Sequence, residues 1–299
     1  MDEKIQMSEP LRILRRLWEI PPREAARKAR KRIFGPGTEF DALEILRSDK
    51  LMRGQRFYDF LSRYESILER TVGWKRLEFE GKRVLEIGCG PMMAYGPIAA
   101  IRGAASYSAV EPKFDPQILH NKAILEGYYL SVFKDLSAIY GENGDFEQFM
   151  DFLRNKAEVH NQPFHEAPLE GPFDTVVSIS CLEHVFPPEE TIKALHRHCH
   201  EETRFVHLVN FANHRPTYNP FDGLYELDPD DYMEKYGMAI NLWRSSDVFE
   251  AFEKVGFDVG MVPYQSFKET YNGTINEYWR QKYSDETLFM KTAIFYGPK

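Results

Sequence analysis

The chain has 299 residues, of which 43% are hydrophobic and 28% charged, enough for one large α/β domain with additions or for two modest domains, each able to bury a core. No uninterrupted apolar stretch is long enough to span a bilayer, and three cysteines (Cys89, Cys181 and Cys199) at no metal-ligand spacing argue for a reducing compartment and against a disulfide framework. The net charge of −8 is uneven: residues 1–35 hold ten Lys/Arg against five Asp/Glu, so a basic arm precedes an acidic body that argues against nucleic acid as the substrate.

Within the arm, "LRILRRLWE" (Leu11–Glu19) puts Leu11, Leu14, Leu17 and Trp18 on one helical face. Pro21-Pro22 breaks that helix, and "REAARKARKRIF" follows as a second, strongly basic one before the Gly35-Pro36-Gly37 turn. Two readings stay open: the arm lies on an anionic membrane surface near Trp18, or its helices cap the domain and solvate their basic face. The arm lacks the uncharged apolar core of a secretory signal, so a cytoplasmic protein is expected, with peripheral contact to the inner membrane surface in the first reading. Apolar residues at helical spacing over Phe40–Leu77 extend the helical N-terminal segment to residue 78, with the arm as its residues 1–35.

From residue 79 to residue 299 the pattern alternates. Strand "RVLEI" leads through a glycine turn to a helix over about Met92–Arg102, then to strand "SYSAV" and Glu111-Pro112. A largely helical insertion over about 116–156, aromatic in "EGYYLSVFKDLSAIYG", reads as a lid or a packing layer, because it exceeds what a crossover needs. "FDTVVSIS" is the next strand, "CLEHVFPPEETIKALHRHC" a turn and helix, and "TRFVHLVNF" a further strand. A second, irregular insertion spans about 212–244; "SSDVFEAFEKVGF" then reads as a helix with a Ser N-cap and a glycine stop. "DVGMVPYQ" and "TLFMKTAIFYG" are the last two strands, and no internal repeat is found.

The turn "VLEIGCGP" (Val84–Pro91) raises a question of charge. A dinucleotide site wants G-x-G-x-x-G, yet Met93 stands at the third glycine position, Pro91 removes an N–H, and Glu86 lies two residues before Gly88, where it would repel a pyrophosphate. A ligand with a cationic body and no phosphate fits better, and S-adenosylmethionine, with its sulfonium and α-ammonium, is such a ligand. Gly88 and Gly90 allow it to approach the backbone closely.

On these residues the chain resembles the class I S-adenosylmethionine-dependent methyltransferases: "VLEIGCGP" is similar to their first motif, Glu111 in "YSAVEP" to their ribose-binding acid, and "FDTVVSISCLEHV" to the segment after their fourth strand. The resemblance covers about 81–299. It implies an α/β, Rossmann-like doubly wound sheet, mostly parallel with an antiparallel last strand, carrying the helical N-terminal extension and the insertions. It also implies S-adenosylmethionine as cofactor, with Glu86 toward the methionyl amine, the backbone of Gly88, Cys89 and Gly90 and the residue Ser180 lining it, and Glu111 on the ribose hydroxyls. The adenine contact falls to Gln162 in "HNQPFHEAPLEGPFD", where the family commonly has an Asp.

A hydroxyl acceptor must lose a proton, and a histidine at the carboxyl edge of the sheet can take it. His184 in "CLEHV" and His214 in "NFANHRP" follow the fourth and fifth strands at that edge. His196 and His200 have an i,i+4 spacing, but no partner pattern completes a metal site, so no metal is expected. The second insertion is similar to that of a bacterial methyltransferase group associated with surface-polysaccharide and glycolipid assembly. In it, Asn210, Asn213, Arg215, Tyr218, Asn241 and Arg244 offer hydrogen bonds to a sugar, and Tyr225, Tyr232 and Trp243 offer stacking faces. A hydroxylated glycan or lipid-linked sugar is the expected acceptor. A small aromatic or lipophilic metabolite is the alternative, and so is a catalytically silent cofactor-binding subunit; a homo-oligomer stays open.

Overall fold

A computed structural model of the chain describes residue 46 and residues 55–141, 144–215 and 217–299. The basic arm, and with it the membrane-contact reading, lies outside the described residues. Arg83–Ile87 (β1) and Ser106–Val110 (β2) pair in parallel, joined by the glycine turn and the short helix Gly96–Ile101. The remaining strands are Ala157–His160 (β3), Phe173–Ile179 (β4), Cys199–Asn210 (β5), Gly260–Ser266 (β6) and Met290–Gly297 (β7). They form one seven-stranded sheet in the order β3-β2-β1-β4-β5-β7-β6. β1 to β5 run parallel and β7 runs antiparallel between β5 and β6, which is the doubly wound, mostly parallel arrangement with an antiparallel last strand.

Alternation along the strands sorts the two faces. Leu85, Ile87, Val110, Val176, Phe205 and Phe295 share a core with Ile192 and Leu195 of the helix Pro188–Arg197 and with Val248 and Phe252 of the helix Ser245–Val255. Phe252 stacks on Phe205 at 5.6 Å between ring centroids. Opposite in phase, Val84, Glu86 and Tyr107 are buried too. The first insertion is a packing layer: its helices Leu130–Tyr140 and Phe146–Asp151 lie against Gly96–Ile101, and Tyr128 and Tyr129 are buried.

Three local expectations change. β3 falls between the first insertion and "FDTVVSIS", where no strand was marked out; three half-buried residues and the exposed Glu158 at a sheet edge leave too short a pattern to read. The helix after the glycine turn starts only at Gly96, because residues 91–95 form turns in which Met93 takes φ +54°. The helix Ser245–Val255 is capped at Arg244, whose N–H donates to the Asp247 carboxylate at 2.7 Å, and it stops as expected at Gly256 with φ +101°. Among the described residues no helix is long and apolar enough to cross a membrane.

The second insertion is anchored by its own core. Phe221, Leu224, Tyr225, Tyr232, Ile240 and Leu242 pack around Trp279, which is fully buried and donates its indole N–H to the Leu227 carbonyl at 2.6 Å. Truncating such a ring removes a large buried volume, so Trp279→Ala should cost about 3–5 kcal/mol in urea unfolding; a loss below about 1 kcal/mol would contradict this packing.

Candidate functional site

The site is built at the carboxyl ends of β1, β2 and β4, where an open parallel sheet leaves a crevice. Gly88 and Gly90 have φ of +75° and +63°, the left-handed region that strains any side chain. A Cβ on Gly88 would overlap the Cys181 thiol and stand 2.8 Å from Cys181 Cβ, so at this point the backbone passes where only glycine fits. The Glu111 carboxylate ties the turn to the end of β2, accepting from Gly90 N at 3.1 Å on one oxygen and from Lys113 N at 3.0 Å on the other. Cys89 is buried with its thiol toward the Gly90 carbonyl, and burial raises its pKa.

Glu86 faces away from the crevice. Its carboxylate accepts from Tyr95 N at 2.9 Å and from the Tyr107 hydroxyl, and it is 1% exposed. Burial, countered by those two hydrogen bonds, raises its pKa to about 8.

A cavity of about 710 Å³ opens beside the turn, within the range of small-molecule sites. Gly88, Gly90, Glu111, Gln162, Ser180 and His184 all line it, so the structure brings together six of the nine residues named from the sequence; Glu86, Cys89 and His214 are not among the lining residues. Gln162 donates to the Glu166 carbonyl at 2.7 Å, which orients its amide at the cavity edge. Ser180, at the end of β4, takes φ +50°. The lining also includes Cys181, Lys113, Phe164, His165 and Phe186. Phe164 opens the single turn Phe164–Glu166 and Phe186 lies in a loop, so neither has a periodicity to mark it.

At one end of the cavity, "LEH" forms a single turn, Leu182–His184, held by the second insertion. Asn241 N donates to the Glu183 carbonyl at 2.8 Å, Asn241 Nδ2 to the Leu182 carbonyl at 2.7 Å, and His184 Nδ1 lies 2.7 Å from the Ala239 carbonyl. A carbonyl can only accept, so His184 carries its proton on Nδ1 and leaves Nε2 free to accept or to ligate. His214 packs edge-on against His184 with ring centroids 4.7 Å apart, and its Nε2 stands 3.7 Å from Glu183 Oε1. Burial, with His184 adding to it, lowers the His214 pKa. Glu183 was not singled out from the sequence: it is 4% exposed, burial, opposed by the nearby backbone N–H groups of Glu183 and Asn210, raises its pKa to about 8, and neither carboxylate oxygen is in hydrogen-bond geometry with a partner among the described residues.

Several expected acceptor contacts are spent inside the fold. Arg244, 1% exposed, donates to the carbonyls of Phe211 and Leu242, and Asn213 bonds to Thr217, Asp222 and Arg215. Tyr225 and Tyr232 are buried around Trp279, and Trp243 packs on the main core. These groups build the insertion instead of facing a sugar; Tyr218, at 95% exposure, remains open. His196 packs on Phe257 while His200 already belongs to β5, so their i,i+4 spacing does not put them on one helix.

The Glu86 environment predicts a pH effect. A carboxyl whose pKa is raised from 4.5 to about 8 by folding contributes stability that is present below the unfolded value and lost as the pH rises toward 8, at up to about 1.4 kcal/mol per pH unit. Glu86→Gln keeps an acceptor for Tyr95 N and removes the titration. Urea unfolding should therefore show the variant gaining on the wild type by about 2 kcal/mol or more between about pH 5 and pH 8; parallel profiles would refute the assignment.

The family of proteins described as carrying a methyltransferase domain matches residues 52–260. No curated protein is a significant match. Among solved structures, an S-adenosylmethionine-dependent methyltransferase from Mesorhizobium loti is 13% identical over 74% of this chain and 91% of its own, with a TM-score of 0.41. Another from Aquifex aeolicus is 12% identical over 86% of this chain and 97% of its own, with a TM-score of 0.39. The family match covers more than half of the chain, on a sheet of methyltransferase order with a glycine turn and a carboxylate at its crevice; the chain belongs to the methyltransferase-domain family and has the class I S-adenosylmethionine-dependent methyltransferase fold.

Proposed function

We propose that the protein is an S-adenosylmethionine-dependent O-methyltransferase acting on a hydroxyl of a glycan or lipid-linked sugar. The observation that carries this reading is one cavity with a glycine turn and a carboxylate on one side and an imidazole from a His-Glu-His cluster on another.

The residues present fit the cofactor. Each Glu111 oxygen keeps a lone pair beyond its backbone N–H bond, enough to accept from a ribose diol. Behind the turn, the Glu86 carboxyl is engaged by Tyr95 N and the Tyr107 hydroxyl and does not line the cavity, so the fit rests on the glycine turn and Glu111. When bound, S-adenosylmethionine supplies an electrophilic methyl group: the acceptor oxygen bonds to the methyl carbon as the carbon–sulfur bond breaks and its electron pair stays on sulfur. The protein must align the two and dispose of the hydroxyl proton. His184 and His214 carry that proton removal.

The sugar preference rests on the likeness of residues 207–259 to the polysaccharide-associated group. The aromatic-metabolite alternative draws on the Tyr/Phe-rich stretch of residues 127–140, whose Tyr128, Tyr129, Phe133 and Tyr140 are not among the residues that line the cavity. In this reading residues 79–299 are the catalytic domain, residues 1–78 are an extension, and the arm of residues 1–35 meets an anionic membrane surface on the cytoplasmic side, where a lipid-linked acceptor is found.

Transfer of isotopically labelled methyl groups should be followed across lipid-linked sugars, free glycans and small phenols. The expected result is label on a sugar hydroxyl, with His184→Ala and His214→Ala lowering kcat by about 10²–10⁴-fold while cofactor binding persists. Label only on phenols would favour the aromatic reading, and cofactor binding without transfer to any acceptor would favour a silent subunit.

A further inference from the structure

The end of the cavity where His184 stands has the composition of a ligand set. Glu183, His184 and His214 each present one donor atom, and these atoms all lie within 4.8 Å of one another; among the described residues this is the one such group. In a tetrahedral site with bonds of about 2.0–2.2 Å, donors sit about 3.4 Å apart, so small side-chain rotations close the set.

Independent of that clustering, Glu183 is an anomaly. A carboxyl 4% exposed, with neither oxygen in hydrogen-bond geometry with a partner among the described residues, carries a desolvation cost that the nearby backbone N–H groups of Glu183 and Asn210 offset only in part. Two imidazoles face it, those of His184 and His214, with His214 Nε2 3.7 Å from Glu183 Oε1. A divalent ion supplies the charge that would offset the rest. His184 adds a further mark: its Nδ1–H is fixed on the Ala239 carbonyl at 2.7 Å, the outer hydrogen bond that fixes the ring orientation of metal-ligating histidines and leaves Nε2 for the ion. His214 is held at φ +53°, a left-handed conformation uncommon outside glycine that Asn, Asp and His adopt more readily than other residues, next to both other donors.

We propose that Glu183, His184 and His214 bind a divalent transition-metal ion at the edge of the cofactor cavity, and that this ion acidifies the acceptor hydroxyl. Two imidazoles and one carboxylate suit zinc, cobalt, manganese or iron(II) better than magnesium, which prefers oxygen ligands. Three protein ligands leave a position open, and His184 places it toward the cavity. Coordination there lowers the pKa of the hydroxyl, whose proton passes to water before oxygen attacks the methyl carbon. The inference rests on the hydroxyl-acceptor reading and replaces direct proton removal by the two histidines with activation through the ion they hold.

Cobalt(II) chloride is titrated into the untagged, chelator-treated full chain and followed by visible absorption, with zinc chloride as competitor. One equivalent per chain should give a ligand-field band that zinc abolishes. Glu183→Gln and His214→Ala should each weaken uptake ten-fold or more while retaining the circular dichroism of the wild type, and His196→Ala combined with His200→Ala should leave it unchanged. Absence of stoichiometric uptake by the folded wild type, or uptake insensitive to Glu183→Gln, overturns the proposal. Methyl transfer at full rate by chelator-treated enzyme also overturns it while leaving the O-methyltransferase reading intact. Stoichiometric cobalt uptake at this cluster without transfer to any hydroxyl supports the ion site and removes that reading instead.

Discussion

The site depends on one carboxylate, Glu111. Its oxygens accept from Gly90 N and Lys113 N and so hold the loop after β1 to the loop after β2. Bonds from backbone N–H groups to a charged acceptor are stronger than neutral ones, and they join two segments whose strands are already parallel neighbours. The left-handed Gly88 and Gly90 bring the backbone into that position, and the Cys181 side chain occupies the space that a side chain on Gly88 would need. The cavity wall is therefore main chain, which suits close approach by a ligand and leaves little room for substitution.

The opposite end of the cavity has a different origin. Its "LEH" turn is held by Asn241 and by the Ala239 carbonyl, both from the second insertion. That insertion is in turn held by a core around Trp279, a residue from close to the end of the chain. Buried Arg244 links the pieces through the carbonyls of Phe211 and Leu242 and the Tyr225 hydroxyl. Residues remote from the chemistry thus set the position of His184. The first insertion packs against the helix Gly96–Ile101, and its buried Tyr128 lies near the Glu86 carboxyl. The two insertions therefore have separate tasks, one behind the glycine turn and one beside the histidines.

Much of the sheet was legible because its strands are apolar runs bounded by glycine and proline, and because an acid closes "YSAVEP" as it does in the family. β3 was not legible, since a four-residue edge strand carries almost no pattern. Within the site, Gly88, Gly90 and Glu111 were found because turn chemistry is local. Glu183 was missed because its significance is burial without a partner, and burial depends on the fold of the distant insertion. The same cause misdirected the reading of Asn241, Arg244, Tyr225 and Tyr232: polar and aromatic residues in a loop look available for a ligand until the core they build is seen.

The central claim is that the cavity beside Gly88 and Glu111 binds S-adenosylmethionine. Calorimetric titration of the cofactor into the wild type, Gly88→Asp and Glu111→Ala tests it most directly. The account predicts wild-type binding at one site per chain, weakened ten-fold or more by each substitution. An absence of wild-type binding, or affinity unchanged in both variants, would contradict it.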